Sequence, residues 1–497
     1  MSEPHQIEPE SIVGAVWNGA LRGVRDNALA EVAMQVIKLG GFVVLARALM
    51  PSDFGIFRVV AAISMFLVPF AAAGLSDSLV QRETLGLDLE ATSFWVSTMA
   101  AIAVAVALFC AAPSIASAMR MPSLSWALRA ICIPMLIESG ATVSGVRLRR
   151  GLRFAPLARA DVFGEAAFFG TAIAMVIAGH RRESLITGLA ARMATHGLAV
   201  YVADPFIPRL RFKIAGDLAL VRFSSSVVGG QALRTLSSNA DFMMVGWLLG
   251  STQLGFYSMA WDLLRFVPDR VYAVAGRVAL PAFCRLQNDD SALREGYRAI
   301  VDYSGRLVIP MAACAAVAAP EIIAALYGPA WAGTALPLRI MSFGLAMIGL
   351  RMAVGSIYYA KNHPAYEIFV QGARGIATIT TVGTLAGTGL FGVSLGMSLL
   401  EGAMTLLAHA LVCTLIGTAF MSLLANAAPG IKSALWCALA TAAGKLLADA
   451  GDIHGAMALP IVTIGPAIVL AWFEFETTSK LLGALIATRP AVARAQG

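Results

Sequence analysis

Charge is what this sequence has least of. Only 13% of its 497 residues are Asp, Glu, Lys or Arg, against 58% hydrophobic residues, and the mean hydropathy is +0.75. Soluble domains carry about 25% charged residues, so roughly half of the usual solvating surface is missing and a water-soluble enzyme is excluded. Cysteine patterning is missing too. Cys110, Cys132, Cys284, Cys314, Cys413 and Cys437 stand singly, mostly inside apolar runs. Without a C-x-x-C pair neither a zinc site nor a disulfide framework is expected. The histidines form no H-E-x-x-H, so no metal and no other cofactor is expected. Near the start stand Glu3, Glu8 and Glu10, and no short apolar run ends in a small-residue cleavage site. A signal peptide is therefore not expected.

What the sequence has instead is apolar length. Windows near the about 20 residues that span a bilayer recur near 28–49, 55–78, 92–112, 124–146, 157–179, 184–207, 224–249, 255–283, 299–326, 335–359, 366–386, 390–419, 431–448 and 455–474. The fold class read from them is an all-α polytopic membrane protein of about fourteen helices, in which the 255–283 run is long enough to be tilted or to be kinked at Pro268. Ser11–Asp26 sets Ile12, Val16, Leu21 and Val24 against Asn18, Arg22 and Arg25, as an amphipathic helix on a membrane surface would.

Lys and Arg set the orientation. With the N-terminus inside, inner loops collect Arg82, then Arg147, Arg149, Arg150, Arg153 and Arg159, then Arg209, Arg211, Lys213 and Arg222. Arg285, Arg294, Arg298, Lys361 and Lys432 follow, with Lys480, Arg489 and Arg494 in the tail, whereas outer loops offer only Arg120, Arg181 and Arg182. Both termini are thus expected in the cytoplasm. The net charge of +7 belongs to this pattern and not to nucleic acid, since aromatic residues are not interleaved with the basic ones as base stacking needs. The outer loops are short, which leaves little room for the extramembrane platform of an enzyme acting on glycans.

The chain also repeats itself. Leu49-Met50-Pro51-Ser52-Asp53-Phe54-Gly55-Ile56-Phe57 lines up with Leu249-Gly250-Ser251-Thr252-Gln253-Leu254-Gly255-Phe256-Tyr257 at an offset of 200. Ala112-Pro113-Ser114-Ile115 answers Ala319-Pro320-Glu321-Ile322, and Leu128-Arg129 answers Leu338-Arg339. Six helices lie between the copies, so both enter the membrane in the same direction. Such parallel repeats build transporters with a binding site between two lobes. The expected organisation is a cytoplasmic segment over 1–27, an N-lobe over 28–207, a C-lobe over 208–420, two trailing helices over 421–475 and a tail over 476–497.

Charges inside apolar runs are the candidate site. Glu31, Gln35 and Lys38 share a face of the first helix, and Gln231, Arg234, Ser238 and Asp241 share one of the seventh. In the eighth, Asp262, Arg265 and Asp269 form one stripe, with Arg270 and Arg277 on another. Arg192 with His196, Arg306, Arg351 and Arg374 lie within or near the ends of other runs. A central charge costs about 2.5–3.5 kcal/mol on insertion scales, so four cations (Lys38, Arg234, Arg265, Arg351) facing lipid would cost on the order of 10 kcal/mol. They must face a wet cavity or a counter-charge, and an internal pair of Arg265 with Asp262 or Asp269 is the alternative for that residue. The expected ligand cations are Lys38, Arg234, Arg265, Arg270 and Arg351; the remaining stripe residues are candidates for coupling. Arg47, Arg58, Arg129 and Arg339 sit near helix ends, where snorkelling is expected. Gly387-Thr388-Gly389-Leu390-Phe391-Gly392 fits G-x-G-x-x-G without the strand a dinucleotide site requires. Gly392 and Gly396 read as a helix-packing pair.

Leu45-Ala46-Arg47-Ala48-Leu49-Met50-Pro51-Ser52-Asp53-Phe54-Gly55 resembles the L-A-R-x-L-x-P-x-D-F-G opening of bacterial polysaccharide transporters, the Wzx-like flippases. The resemblance continues through Ala73-Gly74-Leu75-Ser76-Asp77-Ser78-Leu79-Val80-Gln81-Arg82, Asn239-Ala240-Asp241, Leu254-Gly255-Phe256-Tyr257-Ser258-Met259-Ala260, Leu280-Pro281-Ala282-Phe283 and Leu326-Tyr327-Gly328-Pro329-Ala330-Trp331. It implies two six-helix lobes around a central cavity plus two trailing helices. It further implies an inner-membrane flippase, not an enzyme, that turns an oligosaccharide on undecaprenyl diphosphate to the periplasmic leaflet, with the bilayer and a polysaccharide polymerase or export machinery as further partners. No sugar-binding residue is implied. The alternatives are a multidrug or lipid exporter of the same superfamily and a membrane-embedded glycan polymerase or ligase.

Overall fold

A computed structural model describes residues 31, 33–72, 79, 86–208, 218–266, 268–451, 453 and 458–469. The Ser11–Asp26 segment, Arg209, Arg211 and Lys213, the tail and most of the 73–82 motif lie outside them. The described residues are helical almost throughout. Nine of their helical runs are long and apolar enough to cross a membrane, with a shorter apolar helix at Ala458–Val469. The chain divides into two compact units, Met1–Gly255 and Phe256–Gly497.

The first unit begins with α1 (33–48) and α2 (Pro51–Ala71), which starts on a proline and is capped where the Met50 amide donates to Asp53. Then come α3 (Leu87–Ala118) and a broken span of α4 (Leu124–Ala130), α5 (Cys132–Gly140) and α6 (Thr142–Arg150). Pro134 lacks the amide that would continue the α4 ladder, so the break falls just before it. At Ala141 the amide reaches back only three residues, to the Glu138 carbonyl at 3.1 Å, a tightened turn of 3₁₀ type. α7 (Phe154–Ile177) and α8 (Arg181–Ala203) follow. Leu218–Arg265 is two helices, α9 and α10, parted at Gly250 (φ 85, ψ 173), a conformation open to glycine at little cost.

The offset of 200 has a physical meaning here. A Cβ on Gly55 would run into the carbonyl of Ser251, and a Cβ on Gly255 into the carbonyl of Pro51. Each glycine therefore seats the backbone at the start of the other copy, a reciprocal contact of the kind a local two-fold axis produces.

The second unit continues with α11 (Pro268–Arg285), which begins on Pro268, and α12 (Asp290–Val317), capped by Asp289. α13 (Ala319–Leu326), a 3₁₀ turn (Pro329–Thr334), α14 (Ala335–Leu350) and α15 (Val354–Ala360) come next. α16 (Pro364–Leu385), α17 (Gly389–Ile416), α18 (Phe420–Ala450) and α19 (Ala458–Val469) complete it. Trp331 is fully buried, edge-on to Phe256 and tilted against Tyr327.

α17 shows why the chain needs lipid. Ser394, Ser398, Glu401, Thr405 and His409 form a buried stripe, while Phe391, Leu395, Leu399 and Leu406 are exposed. Polar residues inward and apolar residues outward is the reverse of a soluble helix. The stripe holds α14 by hydrogen bonds: Ser398 Oγ donates to the Ile340 carbonyl (2.7 Å) and Thr405 Oγ1 to that of Met347 (3.0 Å). The molecule is a multi-pass membrane protein.

The second pair of repeats joins into one device. Pro113 and Pro320 have no amide hydrogen, so the carbonyls four residues back, at Phe109 and Ala316, gain no α-helical bond from them. Arg129 Nε donates to the Phe109 carbonyl at 3.3 Å, and Arg339 Nε to the Ala316 carbonyl at 3.2 Å. Each unit thus uses an arginine from the following membrane span to satisfy the acceptor its proline releases. Snorkelling had been expected for both, and for Arg58. The Arg58 guanidinium instead lies 3.9 Å over the Phe242 ring.

Candidate functional site: two charged clusters inside the membrane

In the first unit, close approach of α8 to its neighbours builds a cluster. Gly197 faces the backbone of Glu138 and Gly188 the carbonyl of Phe168, in contacts a side chain would block. α8 thereby lies tight against α5 and α7. Glu165 of α7, largely buried, takes Arg192 Nε of α8 at 3.1 Å and Lys38 Nζ of α1 at 3.3 Å. One turn beyond Arg192, His196 lies between two more acids, Nδ1 3.4 Å from Glu138 and Nε2 3.4 Å from Asp161. A cavity of about 340 Å³ opens beside them, lined in part by Glu138, Ser139, Thr142, Arg149, Asp161 and His196.

In the second unit the cluster is drier. Glu401 of α17 is fully buried; one oxygen receives Arg374 Nη2 of α16 at 2.7 Å and the other Arg351 Nη2. Arg351 sits where the span of α14 and α15 is interrupted, with amides 351, 352 and 354 reaching back three residues. Two turns along α17, His409 Nδ1 meets the Tyr297 hydroxyl at 2.8 Å.

The two clusters are copies with the signs exchanged. Acid and arginine are 27 residues apart in each. Glu165 and Arg192 become Arg374 and Glu401, both 209 positions further on, close to the offsets of the sequence repeat. The acid rides on the first helix of its pair in one unit and on the second helix in the other.

The remaining expected residues are placed as follows. Gln35 donates to Glu31 at 2.7 Å, so the first stripe divides between that pair and the Lys38–Glu165 contact. Arg234, exposed on α9, donates to Gln231 Oε1 at 2.9 Å; Ser238 is exposed and Asp241 buried on the same helix. Arg265 is bound to Asp269 at 2.9 Å, with the Trp261 ring 5.5 Å away; Asp262 is exposed. The side chains of Arg270 and Arg277 lie outside the described residues. The basic 147–159 segment is built into the fold: Arg147 pairs with Asp204 (3.4 Å) and Arg150 donates to the Leu79 carbonyl (3.0 Å). Sequence reasoning did not single out Glu138, Asp161, Glu165 or Glu401. Acids inside otherwise apolar runs, Asp161 and Glu165 together in one and Glu138 and Glu401 singly in others, were the available signal, since an intramembrane charge needs a partner.

The family described as polysaccharide biosynthesis protein matches residues 44–336, more than half of the chain. The chain belongs to that family. The polysaccharide-transporter resemblance carried by the L-A-R-x-L-x-P-x-D-F-G motif is thus borne out. Among relatives of this family member, the succinoglycan biosynthesis transport protein ExoT of Rhizobium meliloti (strain 1021) is 24% identical over 313 residues; the match spans 63% of each chain. The lipopolysaccharide biosynthesis protein WzxC of Escherichia coli (strain K12) is 21% identical over 419 residues, 81% of each. The teichuronic acid biosynthesis protein TuaB of Bacillus subtilis (strain 168) is 20% identical, over 69% of this chain and 71% of its own. In fold, the chain is similar to the lipid II flippase MurJ in an inward closed conformation, with a TM-score of 0.73 at 12% identity over 92% of this chain and 99% of that one. It is also similar to an inward-facing multidrug resistance transporter of the MATE family (TM-score 0.62, 13% identity, 78% and 96% covered).

Proposed function

We propose that the protein is a flippase, not an enzyme, moving oligosaccharides linked to undecaprenyl diphosphate across the bacterial inner membrane for the assembly of a surface polysaccharide. Relatives named for succinoglycan transport and lipopolysaccharide biosynthesis support this reading, as does a fold shared with a lipid II flippase. The observation that carries it is Arg234. This guanidinium stands exposed on α9, which the sequence reading sets across the membrane, and its partner among the described residues is an amide oxygen. It therefore keeps its full charge for a ligand. A diphosphate needs such a group, because the idealised cost of taking one ion of this size into a low-dielectric medium is of order 20 kcal/mol. The planar fork of arginine can hold phosphate oxygens bidentately.

On this reading Lys38, shared with Glu165, is a second cation for the diphosphate. Arg265, Arg270 and Arg351 are further candidates along the path, and the prenyl tail stays in lipid. The lobes proposed over 28–207 and 208–420 rock to open the cavity to each side in turn. Both termini are cytoplasmic, and the polymer-assembly machinery is the natural partner for the product.

Arg234→Ala and Lys38→Ala are expected to abolish polymer export in a strain lacking the chromosomal copy, with membrane levels of the protein unchanged. Arg234→Lys restores only part of the export, since bidentate binding is lost. Export at the wild-type rate by both alanine variants would overturn the assignment.

A further inference from the structure

One helix of the repeat is covered in the second unit and bare in the first. The helix α3 and the run of α12 and α13 are copies: Pro113 answers Pro320, 207 positions on, and each proline releases a carbonyl to an arginine of the next span. Their surroundings differ. Val106, Ala107, Phe109 and Cys110 of α3 are exposed, whereas Ala313, Cys314, Ala316 and Val317, at the same places in the second unit, are not. There α18 packs alongside. A Cβ on Gly430 would stand 2.6 Å from the Gly305 carbonyl oxygen, Thr441 Oγ1 lies 3.6 Å from Cys314 Sγ, and Lys445 binds Glu321 at 2.7 Å. These contacts climb both helices in the same order, so α18 runs parallel to α12. In the first unit α3 packs against α2, α4, α5 and α6, and the corresponding face is left open.

We propose that a second copy of the chain closes this face, two α3 helices packing in parallel about a two-fold axis along the membrane normal. The shape of the face fits that partner. Ala103, Ala107, Cys110 and Ser114 are all exposed and recur at three and four residues along one line. They make a shallow groove of the kind that lets membrane helices approach closely. Beside it Met99, Ile102, Val106 and Phe109, also exposed, form a ridge at the same spacing. A two-fold axis sets the ridge of each copy into the groove of the other. Lipid chains alone call for no such line of small residues; α17 presents to them Phe391, Leu395, Leu399 and Leu406.

Charge favours a copy of this chain over a different protein. From Ala91 to Ala118 the helix carries no charged residue. A face that meets itself requires this, because an isologous contact brings each charge near its own like. The seam between α12 and α18 joins two different surfaces and does carry charge, Glu321 against Lys445. At the place of Glu321 α3 has Ser114, whose hydroxyl can both donate to and accept from its own copy. The interface does not depend on what the chain carries, so loss of the flippase reading would leave it standing.

The test uses the full-length protein in its membrane. Cys110 lies on the groove, so a chain keeping it as its only cysteine is expected to form a disulfide-linked dimer when membranes are treated with copper phenanthroline. A chain keeping only Cys284, exposed at the end of α11, is expected to stay uncross-linked, which separates a docked pair from random collision. Ala103→Leu/Ala107→Leu fills the groove from outside. Both positions are exposed, so the melting temperature in detergent should not change while the Cys110 cross-link is lost. In nanodiscs cut from native membranes, single-molecule photobleaching should count two subunits for the wild type and one for the double variant. A single subunit for the wild type, or a cross-link that survives both leucines, would overturn the interface. A Cys110 adduct to a different protein would overturn the second copy and give the face to that protein.

Discussion

Glu165 and Glu401 are the acids of the two sign-exchanged clusters, each shared by two cations, yet they sit in different media. Glu401 has no exposed surface, and its arginines expose only 12% and 19% of their side chains. Glu165 is nearly as buried at 9%, but its partners Lys38 and Arg192 are 31% and 46% exposed. The second-unit cluster is a closed junction of three helices whose charges have nowhere else to go. The first-unit cluster touches solvent, keeps a histidine and two further acids alongside, and opens on a cavity. Duplication of one plan has left one copy as a strut and the other as a candidate working part. The exchange of signs fits this division: a carboxylate held between two guanidiniums is fixed, whereas a carboxylate held by a lysine and one arginine, with acids nearby, can be rebalanced.

The largest effect that would break or confirm this contrast is at Glu401. Glu401→Gln leaves two buried guanidiniums facing each other without an anion, a situation that costs on the order of 3–5 kcal/mol. A marked fall in melting temperature in detergent, or little protein recovered from membranes, is the expected result. Glu165→Gln should cost about 1 kcal/mol or less, because its half-exposed partners are screened. Equal destabilisation by the two substitutions would dissolve the distinction between strut and working part.

A smaller effect tests where the two units are alike. Arg129→Leu and Arg339→Leu each remove the donor that satisfies a proline-released carbonyl, which should cost about 1–2 kcal/mol apiece. The two losses are expected to agree within error and to add in the double variant, since they lie in separate units. Thermal melting reads both. A large loss at one position and none at the other would show that the device serves only one copy.

Much of this was legible before the structure, for reasons tied to particular residues. The repeat was visible because Pro51/Ser251 and Gly55/Gly255 answer to backbone contacts that tolerate little variation. The pieces of the proline–arginine device were visible as matched fragments. Their connection was not, because it passes through the main-chain carbonyls of Phe109 and Ala316, which carry no sequence signature. The charged clusters were half legible. Lys38, Arg351, Arg192 and Arg374 stood out as cations in apolar runs, but their common acids come from other helices. The sign exchange hides the second copy from any comparison of residue identities: an acid aligns with a base, and only the pairing reveals the match. Stripes on one helix were the easiest pattern to see, which is why Glu31, Gln35 and Lys38 were grouped; in the folded chain Lys38 answers to Glu165 instead.

The reciprocal seating of Gly55 and Gly255 has a consequence for heredity. Each glycine abuts a main-chain oxygen and not a side chain, so an exchange at Ser251 or Pro51 that keeps the backbone in place leaves the obstacle where it was. Damage at either glycine therefore has no second-site remedy among the side chains it touches. A lineage that loses Gly55 is expected to recover by restoring that codon, or by shifting a whole helix, and the two positions should remain glycine while everything around them drifts.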